Sequence, residues 1–397
     1  MTEAACRVDR LRLFAFRNYA AETIELGPGL NVIAGRNAQG KTNLLEAVAT
    51  AALTRSPRAA TAADVISWGQ AAAHIEAAIH RPAAPVTIDL RLHRSDGSER
   101  VGRSISLDGR PRPARSVLGL CPVVLFWPED LLVVKGAPEA RRRLCDVVLA
   151  QLEPRTAAEM VRFRRVLEQR NALLRRVRAG EASAAPLAGF TEELVRAGGW
   201  VRAARARLVA ALQPLAAEGL DVLSDGSERL GLAYAVDGES GETAATDPEA
   251  ASEALAQTLR RRAGDELARG ATLAGPHRDD VVITLDGRPA RAAASQGQQR
   301  SIVLAWKLAE VRHVAAATGT TPVLLLDDVL SELDGERRRR LLDELGAGRG
   351  TQALLTTSAA GGLDLERHGE VRHMSVEAGR VSVTGETPAA LAGAAGA

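Results

Sequence analysis

Gly35-Arg36-Asn37-Ala38-Gln39-Gly40-Lys41-Thr42 meets the spacing GxxxxGK(S/T) at each fixed position. Glycines in such a turn let backbone N–H groups point inward, and a helix starting at its end adds partial positive charge, so the turn can cradle phosphates. Lys41 then reaches the β- and γ-phosphates, and the Thr42 hydroxyl holds Mg2+. These eight residues are expected to bind ATP, with Lys41 also serving catalysis. Lysine occurs only at Lys41, Lys135 and Lys307 among 51 basic residues, so composition alone rarely produces the match. A second group of acids follows Val323-Leu324-Leu325-Leu326, the continuous apolar run of a buried parallel strand. Acids at the C-terminal end of such a strand lie where ligands bind in open α/β sheets. Asp327 is the expected Mg2+ acid, and Asp328 the catalytic residue that orients or deprotonates the attacking water.

Ser295-Gln296-Gly297-Gln298-Gln299-Arg300 resembles the LSGGQ signature of ATP-binding-cassette (ABC) ATPases in its SMC-like spelling. A serine hydroxyl, a glycine backbone and a helix N-terminus make a second anion site. The resemblance implies that Ser295, Gly297 and Gln298 bind the γ-phosphate held by another subunit, with Ser295, Gln296 and Gly297 at a dimer interface. The same residues also read as a helix cap, Ser295 capping and Gln298 in the third helical position. Ser331-Glu332-Leu333-Asp334 is similar to the D-loop of that superfamily, placing Asp334 at the dimer interface.

These groups need a scaffold. Val8 to Phe16 alternates as a half-buried strand, Phe16-Arg17-Asn18-Tyr19 is a turn, and Leu30 to Ala34 is a strand leading to a helix from about Lys41. Ile75 to Ile79, Val86 to Leu92 and Ser104 to Leu107 read as extended. From Pro128 to Arg269 the pattern is mostly helical. One stripe steps from Met160 to Val177 and another from Phe190 to Leu215, joined by a small-residue stretch. They fit a short antiparallel helical hairpin or two amphipathic helices packed on a domain. Gly198-Gly199 interrupts the second stripe. Val281 to Leu285, Val323 to Leu326 and Gln352 to Thr356 read as strands, and Ser301 to Thr318 as a helix. The expected architecture is α/β: an ABC-type P-loop ATPase head, residues 1–127 and 270–386, with an inserted, mostly helical domain, residues 128–269, and no long coiled coil. Residues 387–397 read as a disordered tail.

The net charge of +2 points neither toward nor away from nucleic acid. Residues 135–178, however, carry twelve basic and five acidic side chains, an excess of seven charges. Such a cluster can contact phosphates without reading sequence, with Arg141, Arg142, Arg162 and Arg165 as the DNA-binding candidates. A solvated, arginine-rich helix face is the alternative reading. Aromatic residues are only 3% of the chain, so base stacking is a poor mechanism. Cys6, Cys121 and Cys145 have no metal or redox spacing and are expected to be buried. No run of about 18 apolar residues exists, so a soluble, cytoplasmic protein that does not span a membrane is expected.

Taken with Phe126-Trp127-Pro128-Glu129-Asp130-Leu131 and Gly275-Pro276-His277-Arg278-Asp279-Asp280, these motifs resemble the RecF family of bacterial DNA replication and repair ATPases over nearly the whole chain. The resemblance implies an ATP-dependent homodimer that binds DNA without sequence specificity at single-strand/double-strand junctions. It implies slow, DNA-stimulated hydrolysis acting as a switch. It also implies RecR and RecO as partners in loading RecA, in gap repair, replication restart and the SOS response. The Asp327-Asp328 pair fits this family, whereas most cassette ATPases carry Asp-Glu. The switch histidine of the superfamily is replaced by a Thr-Thr-Ser stretch, with Thr357 its best match, and Gln70 is the candidate for the Q-loop glutamine. Two competing readings are a membrane transporter's ATPase subunit and a nucleotide-gated scaffold without significant hydrolysis. The first calls for an LSGGQ spelling and a switch histidine; the second is disfavoured by the intact acidic pair.

Overall fold

The structure is a computed structural model that describes residues 4–94, 101–237, 239–329, 335–336, 338–341, 351–358 and 370–387. The chain divides into two compact units, Met1–Glu129 with Glu310–Ala397, and Asp130–Ala309. Among the described residues no helix is long and apolar enough to cross a membrane.

The first unit begins with β1 (Arg7–Phe16) and β2 (Tyr19–Glu25), an antiparallel pair closed by Arg17-Asn18. Alternation works as expected here: Leu11 and Leu13 are buried, and Arg12 and Phe14 between and beyond them are exposed. β3 (Leu30–Ala34) runs into Gly35, and α1 (Lys41–Leu53) starts at the lysine of the phosphate turn. Three antiparallel strands, β4 (Ala72–His80), β5 (Val86–Arg94) and β6 (Val101–Leu107), extend the first pair in the order β2-β1-β4-β5-β6. β7 (Val123–Phe126) belongs to a different sheet, completed when the chain returns.

The second unit opens with α2 (Pro138–Leu152), α3 (Pro154–Arg178) and α4 (Leu187–Ser224). It continues through β8 (Leu230–Val236), α5 (Pro248–Arg269) and β9 (Asp280–Leu285) to α6 (Gln296–Thr318), whose last turns lie in the first unit's residues. Phe163, Val166, Leu194, Val201, Leu255 and Leu259 form the shared core of α3, α4 and α5. Helix α4 runs straight through Gly198-Gly199, contrary to the expected interruption. A Cβ at Gly199 would lie 2.6 Å from Ser252 Cα, so the glycine permits close approach of α5 rather than a break.

The interior of this unit is held by guanidinium–carboxylate pairs. Asp279 has no exposed surface and accepts from Arg202 Nε (2.8 Å) and Nη2 (2.8 Å to the other oxygen), the Tyr234 hydroxyl (2.8 Å) and the Asp237 N–H (2.9 Å). Burial alone would loosen the proton of Arg202. Asp279 and Asp237 outweigh it, and the guanidinium holds its proton more tightly than in water. Arg205 pairs with Asp146 through two bonds and donates to the Pro276 carbonyl. Arg170 pairs with Glu266 at 2.6 Å and also donates to Thr272.

Three expectations change here. Residues 270–309, assigned from the sequence to the head, fall within the second compact unit. The expected helical insert also contributes a strand, β8, which pairs antiparallel with β9 beyond it, because Leu230, Leu232 and Tyr234 alternate as buried residues on a strand. Of the predicted DNA contacts, Arg141 is turned to the interior and Arg142 is half-buried. Arg141 is 5% exposed and forks onto Asp280 at 2.7 and 2.9 Å, while Arg142 donates to the Asp279 carbonyl at 2.7 Å. A run of basic letters does not distinguish an arginine that faces water from one that faces a buried acid.

Back in the first unit the chain adds β10 (Val323–Leu326), β11 (Ala353–Thr357), β12 (Val371–Glu377) and β13 (Arg380–Thr387). Thr387, read from sequence as the start of the tail, ends β13, and residues 388–397 lie outside the described residues. The sheet order is β13-β12-β3-β11-β10-β7, parallel except for the β12/β13 pair. All four residues of β10 are fully buried, as a strand covered on both faces requires.

Candidate functional site

Sheet order brings the chemistry together. β3 delivers the phosphate turn and β10 the acidic pair, and β11 lies between them, paired in parallel with both. All three strands end on one edge, the edge where open α/β sheets bind ligands.

The turn itself is built on two left-handed residues, Ala38 (φ 64°) and Gly40 (φ 119°), which fold the backbone into a concave nest. Lys41 is 7% exposed, and its ammonium donates to the carbonyls of Gly35 (2.6 Å) and Arg36 (3.0 Å), lying folded along the loop. Thr42 Oγ1 lies 2.9 and 2.8 Å from the two carboxylate oxygens of Asp327. A hydroxyl and a carboxylate at this separation are hard oxygen donors, the kind Mg2+ uses when it keeps several waters and takes its other ligands from phosphates. The residues present fit that ion. The surrounding cavity of about 280 Å³ is lined by Asn37, Lys41, Thr42, Pro128, Asp327 and Asp328 among others.

Thr356, the first residue of the Thr-Thr-Ser stretch in which Thr357 is the expected switch residue, is central. Its hydroxyl donates to Asp327 Oδ1 at 2.7 Å and accepts from the Asp328 N–H at 2.8 Å. Thr357, the expected switch residue, is its neighbour on β11, and strand alternation sends the two side chains to opposite faces. Asp328 itself takes a left-handed backbone (φ 52°), an uncommon conformation for a residue other than glycine and one concentrated at functional sites. Burial raises the pKa of Asp327 from its ordinary value, and Asp328 adds to the shift against the opposing hydrogen bonds from Thr356 and Thr42 and the Arg58 charge. Gln70 does not line the cavity; it closes a turn, donating its N–H to the Ser67 carbonyl.

The signature residues lie in the second unit. Helix α6 begins at Gln296, so the motif forms its first turn instead of preceding it. The cap is reciprocal: Gln298 N–H donates to Ser295 Oγ (3.3 Å), and Ser295 N–H donates to Gln298 Oε1 (2.8 Å). Glu228 accepts from Gln298 Nε2 at 3.1 Å, and Gln299 is buried with its amide on the Ala294 carbonyl. Ser295 and Gln296 are left exposed and Gly297 half-buried. Ser331 to Asp334, including the predicted interface residue Asp334, lie outside the described residues.

The arginine cluster divides between interior and surface. Arg141 and Arg170 are interior, and Arg155 stacks on Trp200 at 3.6 Å from the ring centroid. Arg162 and Arg165 remain exposed on α3, though Arg162 has Glu159 and Glu193 each at 3.5 Å. Arg164, Arg175 and Arg176 are exposed on the same helix.

Over residues 7–368 the chain matches the family described as RecF/RecN/SMC N terminal domain. It is 38% identical over 390 residues to the DNA replication and repair protein RecF of Chloroflexus aurantiacus, spanning 94% of this chain and 99% of that one. The RecF protein of Acidothermus cellulolyticus is 39% identical over 361 residues, 90% of this chain and 95% of the relative. A solved structure of the recombination mediator protein RecF with ATP, in the RecFOR pathway, is 25% identical with a TM-score of 0.84, covering 96% of this chain and 98% of that one. The Smc head domain of Pyrococcus furiosus, at 17% identity and a TM-score of 0.54 over 96% of both chains, shares the fold.

Proposed function

This chain belongs to the RecF family, and from that premise we propose that it is a DNA-repair ATPase in which ATP joins two copies into a clamp on DNA. The observation that carries the reading is the constellation at the sheet edge: Lys41 in its nest, and Thr42, Asp327 and Thr356 linked by hydrogen bonds through the Asp327 carboxylate. Gly35 to Thr42 take the phosphates, with Lys41 turning from its loop carbonyls to the β- and γ-oxygens. Thr42 and Asp327 hold Mg2+, which when bound neutralises charge on the phosphate oxygens. Asp328, its backbone fixed through Thr356, orients the attacking water. Ser295, Gln296 and Gly297 of a second copy complete the site from across the dimer, which accounts for an exposed, tightly capped signature turn. Asp334 also belongs to that interface in this proposal.

Hydrolysis in such a clamp is slow and DNA-stimulated, and serves as a switch that ends the DNA-bound state. The DNA is a single-strand/double-strand junction held through its backbone, in gap repair, replication restart and the SOS response in the cytoplasm. RecR and RecO are the proposed partners in loading RecA. The family match over residues 7–368 and the Asp327-Asp328 pair leave no observation favouring the transporter reading.

The Asp328→Asn chain tests the hydrolytic half. Its turnover should fall about a hundredfold, within the usual range for losing a general base, while a Mg-ATP dimer persists longer on size exclusion. A chain that stays monomeric with every nucleotide sinks the clamp. For DNA, reversing Arg162 and Arg165 to glutamate should flatten the plot of log affinity against log salt by about 0.9 for each phosphate the protein no longer neutralises. An unchanged slope removes that face of α3 from the DNA path.

A further inference from the structure

Two turns from distant parts of the chain end on the same residue of the phosphate loop, Gln39. Asn18 Nδ2, between β1 and β2, donates to the Gln39 carbonyl at 2.8 Å. The Gly379 N–H, between β12 and β13, donates to the same carbonyl at 3.0 Å, and the Ala378 N–H donates to Gln39 Oε1 at 2.7 Å. The two turns touch, since a Cβ on Gly379 would lie 2.3 Å from the Asn18 carbonyl oxygen. Asn18 Oδ1 also accepts from Asn43 Nδ2 at 2.8 Å, tying the same side chain to the first turn of α1. Its neighbours reinforce the grip. The fully buried Tyr19 donates its hydroxyl to the Gly40 carbonyl at 2.9 Å, and Arg17 forks onto the fully buried Glu46 at 3.0 and 2.6 Å.

The geometry of one peptide gives these bonds a role. In a trans peptide the carbonyl and the following N–H point opposite ways. Two donors pinning the Gln39 carbonyl on one side therefore aim the Gly40 N–H to the other side, and Gly40 lines the cavity. Ala38, one residue before this peptide, is left-handed, a backbone that in a residue other than glycine persists only where its surroundings over-determine it. We infer that Asn18 is a positioning residue for the triphosphate: with Gly379 it fixes the Gln39–Gly40 peptide and points the Gly40 N–H at the phosphates. This rests on the reading of the loop as an ATP cradle.

The test uses the full-length chain, a fluorescent ATP analogue for direct binding, steady-state ATPase kinetics and thermal unfolding. Asn18→Asp keeps the size and the acceptor for Asn43 but sets an oxygen against the Gln39 carbonyl. Asn18→Ala removes the donor without adding charge, which separates weakened positioning from repulsion of phosphate by a new carboxylate. Both variants should raise Kd and KM about tenfold, the scale of removing one hydrogen bond, with kcat within about twofold. A fold defect instead lowers the active fraction, cutting apparent kcat and the unfolding midpoint at unchanged KM, and that result overturns the inference. So does a parent chain that binds the analogue alongside variants that bind it equally well. A parent chain that binds no analogue overturns the cradle reading and this inference together.

Discussion

A Lys41→Ala chain will bind ATP about a hundredfold more weakly than its parent, about 2.7 kcal/mol, yet unfold at nearly the same denaturant concentration. The lysine's ammonium rests on two loop carbonyls beside an open cavity, at 2.6 and 3.0 Å. Water can take its place there, so folding loses little. Against a triphosphate the same ammonium supplies charge-assisted bonds that its neighbours in the cavity cannot replace: Thr42 is neutral, and Asp327 and Asp328 carry the wrong sign. Isothermal titration with Mg-ATP, alongside urea unfolding, separates the two effects. Equal ATP affinity in parent and variant would remove Gly35 to Thr42 from the nucleotide site.

Asp279→Ala should do the opposite, leaving the first unit's chemistry in place and destabilising the second unit by about 3–5 kcal/mol. Removing this carboxylate leaves the 2%-exposed Arg202 guanidinium only its 3.3 Å contact with Asp237, and takes away the acceptor of the Tyr234 hydroxyl and the Asp237 N–H together. A loss of that size is a large share of the roughly 5–15 kcal/mol that holds a domain folded. Urea unfolding of the chain with Trp68, Trp127 and Trp306 replaced by Phe, followed by the fluorescence of the remaining Trp200 in the second unit, measures it. A change under about 1 kcal/mol would show that the pair is solvated in solution and contributes little.

The phosphate turn, the acidic pair and the main strands of the first unit are legible in the sequence because each is local: fixed spacing, a four-residue apolar run, strict alternation. The signature is legible as well, down to the reciprocal Ser295–Gln298 cap, since a cap is a relation over three residues. Thr356 is not, because its meaning comes from β11 lying between β3 and β10, which no single segment encodes. Arg141 misleads for a related reason: its partner Asp280 is 139 residues away. At Gly198-Gly199 helix propensity points to a break, and packing against Ser252 overrides propensity. Leu230 to Val236 does carry a signal, alternate buried residues, which the surrounding helical stripes obscure.

The meeting of Asn18, Gln39 and Gly379 has a bearing on how the protein is made. Gln39 leaves the ribosome early, while Ala378, which caps its side chain, follows 339 residues later. At about 5–20 residues per second the interval is roughly 17–70 s. For most of that time β3 lacks both of its sheet neighbours, β11 and β12, and the whole of the second unit is synthesised in between. The nascent chain therefore lacks the finished contacts to Gln39 until the last hairpin has closed on the first.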